Sequence, residues 1–160
     1  MGWFALRIAK LFGQRLPAFP TKAEAEAHLF SQRDERLRHI IELAPHSAGV
    51  FAADFTPNSL KGLESWYFIL RESDSFGSLG ITCEEFERCM AMYYCETAVR
   101  NNPDAQWVVQ EYAFERGKYE MGVAKGGTYY MRMRFTDHYK QPNNKRRQKI
   151  FRDYQQYYGA

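Results

Sequence analysis

Four side chains near the middle of the chain have types and spacing that could do chemistry. Tyr94, Glu96, Arg100 and Trp107 bring an acid, a base and two aromatic groups close together in sequence, a set that could line a pocket for a polar ligand. Glu96 precedes Arg100 by four residues, the favourable order for a helical ion pair, which contributes only a few tenths of a kcal/mol (roughly 0.2–0.5) where it is exposed. Two uses are open. The four could hold a ligand, with Trp107 as an aromatic wall, or the pair could pin a helix to a sheet beneath the tryptophan. The second is the commoner fate of such a pair, since a hydrogen-bonded buried pair can fix register without serving a ligand.

A second set lies nearer the C-terminus. Arg132, Arg134, Lys140, Lys145, Arg146, Arg147, Lys149 and Arg152 are interleaved with Tyr139, Tyr154 and Tyr157. Such a patch could grip phosphates while its rings stack on bases, or meet an acidic protein surface and speed association. The formal net charge is only +3, and Glu111, Glu115 and Glu120 occupy the preceding segment, which favours a protein over a nucleic acid as partner. The residues expected to touch that partner are Arg132, Arg134, Tyr139, Lys145, Arg146, Arg147 and Tyr154.

Other chemistries find little support. His28, His39, His46 and His138 form no H-x-x-x-H or H-E-x-x-H pattern, so no zinc site is expected. Phe76 to Gly80 has its serine outside the G-x-S-x-G order of a nucleophile elbow. Gly126-Gly127 does not have the lysine and threonine of a phosphate loop in the right order, sits between strands, and reads as a hairpin turn. Cys83, Cys89 and Cys95 recur every six residues, which turns them by about 240° per step around a helix, so they neither pair nor share a metal along it. They read as small packing residues in a reducing compartment. No metal, cofactor or catalytic residue is expected. The apolar run from Trp3 to Phe12 is broken by Arg7 and Lys10 and resembles no secretory signal; no segment has the roughly 18 to 20 apolar residues of a spanning helix. A cytoplasmic protein is expected.

The elements that position these groups follow from periodicity and punctuation. At 160 residues, with 45% hydrophobic and 16% aromatic content, one domain spanning residues 1–160 is expected. Residues 1–20 form an amphipathic segment that could lie on a membrane surface and more often packs on its own domain. Residues 21–160 form the core. Thr21-Lys22-Ala23-Glu24 and Thr82-Cys83-Glu84-Glu85 read as capping boxes. The first opens a helix with an apolar stripe of Leu29, Leu37, Ile40, Ile41 and Ala44, closed by Pro45. Val50 to Phe55 is short and β-capable. Thr56-Pro57 reads as a cap with proline at the first helical position, followed by a second helix along Leu60, Leu63, Tyr67 and Leu70. Residues 73–80 are a loop by composition. The central helix from Thr82 stops at Asn101-Asn102-Pro103-Asp104. Beyond it the period falls to two, and Trp107 to Phe114, Lys118 to Ala124 and Thr128 to Phe135 read as strands. In the last, Tyr129, Met131, Met133 and Phe135 are expected on the core face. Lys145 to Tyr158 reads as a helix with Ile150, Phe151, Tyr154 and Tyr157 or Tyr158 inward. The expected fold is α+β: N-terminal helices, then a three- to four-stranded antiparallel sheet covered by the second, central and C-terminal helices.

The phrases FTPNSLKGLESW at 55–66 and YYCETAVRNNPDAQW at 93–107, followed by the strand pair and an aromatic terminal helix, resemble a family of small, largely uncharacterised bacterial α+β proteins over roughly residues 50–158. Ser59, Leu60, Leu63, Trp66, Tyr94, Glu96, Arg100 and Trp107 stand at matching positions. Glu64 stands where that family has aspartate, and Cys95 where it has glycine. The resemblance implies a toxin-immunity role: a protein that binds and neutralises a bacterial toxin encoded nearby. The function expected is therefore non-enzymatic protein binding, with a nucleic-acid-binding module on the C-terminal basic face, or a pocket around Glu96 and Trp107, as alternatives.

Overall fold

The computed structural model describes residues 2–131, 139–140 and 147–159, and of 129–131 the backbone only. Among these residues five α-helices and an antiparallel sheet make an α+β fold. In chain order they are α1 (Trp3–Gln14), α2 (Lys22–Leu43), α3 (Ser59–Ser73), α4 (Cys83–Asn101), β1 (Ala105–Glu111), β2 (Tyr119–Lys125), β3 (Thr128–Met131) and α5 (Lys149–Tyr158). β1 pairs with β2 along its full length, from Ala105 opposite Lys125 to Glu111 opposite Tyr119. β3 lies on the other side of β2, with Gly122 opposite Met131. The remainder of the predicted third strand, and with it the core face assigned to Met133 and Phe135, lies outside the described residues.

α4 is the centre of the molecule. It packs on α2, α3, α5 and both long strands, and buries side chains around its whole circumference, from Phe86, Cys89 and Met90 to Tyr93, Tyr94 and Ala98. A helix that buries side chains on nearly all its faces does not show a one-sided stripe. The helix that covers the sheet beside α4 is α2, through the stripe of Ala25, Leu29, Leu37 and Ile40. The second helix of the sequence reading, α3, packs instead on α4 and α5. Behind α4 an aromatic cluster fills the space between α3 and the 76–79 turn. Phe51 stacks on Trp66 at 5.8 Å, Trp66 meets Phe86 edge-on at 5.1 Å, and Phe76 lies 5.3 Å from Phe86. Such ring pairs each contribute about 0.5–1.5 kcal/mol beyond the area they bury.

Local signals placed several helix ends. Thr21 Oγ1 accepts the Glu24 N–H and Thr82 Oγ1 accepts the Glu85 N–H, which satisfies one free donor in each first turn. The second box is not reciprocal as read, because Glu85 turns its carboxylate to Arg36 of α2 and to Arg88. Burial pushes the Glu85 carboxyl up, yet the two guanidiniums outweigh it and hold the group below its usual range. α4 ends at Asn101, at the asparagine-proline corner.

Several expectations are corrected. Residues 50–55 form no strand: Ser47 Oγ bonds the Phe51 N–H and carbonyl, Tyr93 takes the Phe55 N–H, and Asn101 bonds the Phe55 carbonyl. Side chains thus satisfy a backbone that a neighbouring strand would otherwise have to satisfy. Thr56 Oγ1 accepts the Ser59 N–H as a cap would, but Asp54 Oδ1 holds the Thr56 N–H and hydroxyl and the chain makes a turn at Pro57-Asn58, so that α3 itself starts at Ser59. The 73–80 loop contains a 3-10 turn, Phe76–Leu79, that buries Phe76. Ile41 is exposed, one step off the α2 stripe. The C-terminal helix begins at Lys149 and buries Ile150, Tyr154 and Tyr158; Phe151 is half-buried under Lys61, and Tyr157 is exposed. Finally, α1 does not lay its apolar side on the domain. Phe4, Ile8 and Leu11 face solvent.

Candidate functional site

Glu96, Arg100 and Trp107 come together, and Tyr94 does not join them. Glu96 Oε1 accepts from Arg100 Nε at 2.8 Å, one turn along α4, and Oε2 accepts from the indole Nε1 of Trp107 on β1 at 2.7 Å. Each carboxyl oxygen is engaged by a donor of the chain itself, one on the helix and one on the sheet. Arg100 carries the link further: its guanidinium lies 3.8 Å from the centroid of Phe55, a cation–π arrangement, and Phe55 stacks on Tyr93 at 4.7 Å. Sheet, helix and the 50–58 segment are thus joined through one acid and one base. Tyr94 points away, buried between Tyr154 at 6.1 Å and Tyr158 at 6.0 Å. Two residues along a helix is a rotation of about 200°, which places it on the far side of α4 from Glu96.

The solvent side of this brace is an open groove between α2, α4 and β1. Arg33 of α2 reaches over the Trp107 ring at 5.3 Å and over Phe30 at 4.6 Å. Leu37, Ile41 and Val99 line its apolar part; Arg38 and Glu42 of α2 add charges of both signs, as Arg100 and Glu96 do on α4. The groove holds about 650 Å³ and is wide open. A groove this open does not enclose a small molecule.

The second predicted site is only partly within view. Arg132, Arg134, Lys145 and Arg146 lie outside the described residues. Arg147 is exposed. The two aromatic members are engaged inside. Tyr139 packs against Phe68 at 6.2 Å, with Arg71 4.8 Å over its ring. Tyr154 is buried, and its hydroxyl accepts from Asn102 at 3.2 Å. Tyr154 therefore cannot present its ring to a partner, a correction that follows from its place on the same α5 face as Ile150 and Tyr158.

Two residues not singled out for a role prove important. Tyr93 latches the phrase FTPNS: its hydroxyl accepts the Phe55 N–H at 2.9 Å and shares a 2.6 Å hydrogen bond with Ser59. Phe55 has φ of +57°, a conformation costly for a side chain with a Cβ, and the Tyr93 and Asn101 bonds hold it there. Tyr93→Phe is expected to cost about 1.5 kcal/mol, the price of a buried N–H left without an acceptor, with a chemical-denaturation midpoint lowered to match. Glu64, buried on α3, accepts the Ile150 N–H of α5 at 3.0 Å. The signal for it was present, since an acid four residues after Leu60 and three before Tyr67 falls on an otherwise apolar stripe.

Cys83, Cys89 and Cys95 are thiols, not joined in disulfides. Burial raises the Cys89 thiol to about 12, and burial also raises Cys83, against the lowering effect of its hydrogen bond from Arg71. Thiols held protonated are poor nucleophiles. Among the described residues no group of three or more His, Cys, Asp or Glu side chains is placed to hold a metal ion, and no helix is long and apolar enough to cross a membrane.

A family model described as "Uncharacterised protein YwmA" matches residues 18–158. The chain is 28% identical over 116 residues to the "Uncharacterized protein YwmA" of Bacillus subtilis (strain 168), covering 72% of this chain and 73% of the relative. No solved structure matches it.

Proposed function

We propose that this chain, which belongs to the YwmA family of uncharacterised bacterial proteins, is a non-enzymatic protein-binding protein, in its most concrete form an immunity protein that holds and neutralises a toxin encoded nearby. The observation that carries the reading is the groove over Trp107. Its acid is already tied to Arg100 and Trp107, which suits a rigid floor better than proton transfer, and its walls offer apolar surface with cations and anions alternating around it. Interfaces use this combination, an aromatic and arginine-rich centre with a polar rim. The toxin-directed version rests on the resemblance of the 55–66 and 93–107 phrases.

The test is co-purification with the products of adjacent genes, followed by titration of any protein captured. Ile41→Asp and Arg38→Glu alter the exposed rim without touching the core, and each is expected to weaken the complex at least tenfold, on the order of 1.4 kcal/mol or more. A neighbour product that binds equally well to both variants, or a toxin neighbour that is neither bound nor neutralised, overturns the assignment.

A further inference from the structure

The whole formal charge excess sits where the fold leaves apolar surface bare. Residues 1–20 contain Arg7, Lys10 and Arg15 and no acidic residue, so the chain's +3 is contained in them and the remaining residues balance. α1 carries Arg7 and Lys10, with Arg15 just past its end, and among the described residues it is held to the body along its C-terminal half. There the Tyr112 hydroxyl donates to the Ala9 carbonyl at 3.0 Å, Phe12 meets the Tyr112 ring at 5.4 Å, and Gly13 lies against Tyr112 and Glu115. The following segment is tied to the β1–β2 hairpin by the Phe19 N–H to Gly117 and by Lys118 to the Leu16 carbonyl. Residues 2–8 are all exposed.

Phe4, Ile8 and Leu11 are spaced at i, i+4 and i+7, which places them on one face, and they are 72%, 52% and 51% exposed. Trp3 is 76% exposed in the first turn of the helix, with the Arg7 guanidinium 5.8 Å from its ring. At about 1.5 Å per residue a twelve-residue helix is about 18 Å long, too short to span a bilayer and long enough to lie in its interface. α1 also precedes the region matched by the family model, which starts at residue 18.

We propose that α1 is a docking helix for the surface of an anionic lipid bilayer. Phe4, Ile8 and Leu11 enter the headgroup boundary, Trp3 sits at the interface, and Arg7, Lys10 and Arg15 meet the lipid phosphates. Charge complementarity selects this occupant: a segment with three cations and no anion is matched by a uniformly negative surface, whereas a second copy of α1 would set like charges against each other. The test is co-sedimentation of the full chain with vesicles of equimolar phosphatidylglycerol and phosphatidylcholine, against vesicles of phosphatidylcholine alone. Binding to the anionic vesicles only is expected, weakened as salt shortens the screening length to about 3 Å near 1 M. Phe4→Ser with Leu11→Ser should weaken it by at least about tenfold, and Arg7→Glu with Lys10→Glu by a similar factor. All four positions are exposed, so the variants should melt with the parent. No binding to anionic vesicles, binding that neither pair weakens, or a dimer without lipid affinity that the serine pair dissociates each overturns the proposal, the last by assigning the face to a second copy.

Discussion

Gly62→Ala should destabilise the protein by about 3 kcal/mol, at the upper end of what an inserted methyl group costs in a packed site. The expected sign is the informative part. Gly62 lies inside α3, and alanine in an ordinary helix interior would stabilise by about 1 kcal/mol. Here a Cβ would stand 2.5 Å from the backbone carbonyl oxygen of Val50, and backbone cannot swing aside as a side chain can. Either the 50–51 segment or α3 must shift, and the stacking of Phe51 on Trp66 shifts with it. Thermal melting should show a fall of about 6–12 °C for a chain of this size. Gly77→Ala, where a Cβ meets open space, should stay within about 0.5 kcal/mol of the parent.

The second large effect is expected at Glu64. Its side chain is buried, and through Oε2 it accepts one of the free N–H groups at the start of α5. Gln148, the residue before that helix, has φ of +52° and provides no side-chain cap. Glu64→Leu removes the acceptor and leaves the Ile150 N–H buried without one, at a cost of about 3 kcal/mol. Glu64→Gln retains an acceptor oxygen and should cost about 1 kcal/mol, since it gives up the favourable acid at a helix N-terminus. Denaturant titration measures both. Amide exchange locates them: the Ile150 N–H should lose protection in the leucine variant far more than amides of α4. Equal loss across α4 and α5 would refute a cap-specific role.

What the sequence disclosed, and what it withheld, divides by distance along the chain. The caps at Thr21 and Thr82, the stop at Asn102-Pro103 and the Glu96–Arg100 pair involve partners three or four residues apart, where helical geometry alone decides the contact. The change of period after Asp104 likewise located β1 and β2 to within a few residues. The unread features link distant residues: Tyr93 to Phe55, Glu64 to Ile150, Val50 to Gly62. Val50 to Phe55 has the composition of a strand, and only the availability of Ser47, Tyr93 and Asn101 as side-chain partners lets it remain irregular. Tyr94 is a different kind of miss. Its separation from Glu96 by two helical residues already opposed a shared pocket, and the aromatic character of the phrase concealed that.

The Glu64 contact also bears on the order in which the chain acquires its structure. A ten-residue helix in isolation is unstable in water, and α5 obtains both its first-turn acceptor and its hydrophobic bed from segments made much earlier in synthesis. Its sequence leaves the ribosome after theirs, so its folding becomes a docking event whose rate depends on how far α3 and α4 have already assembled.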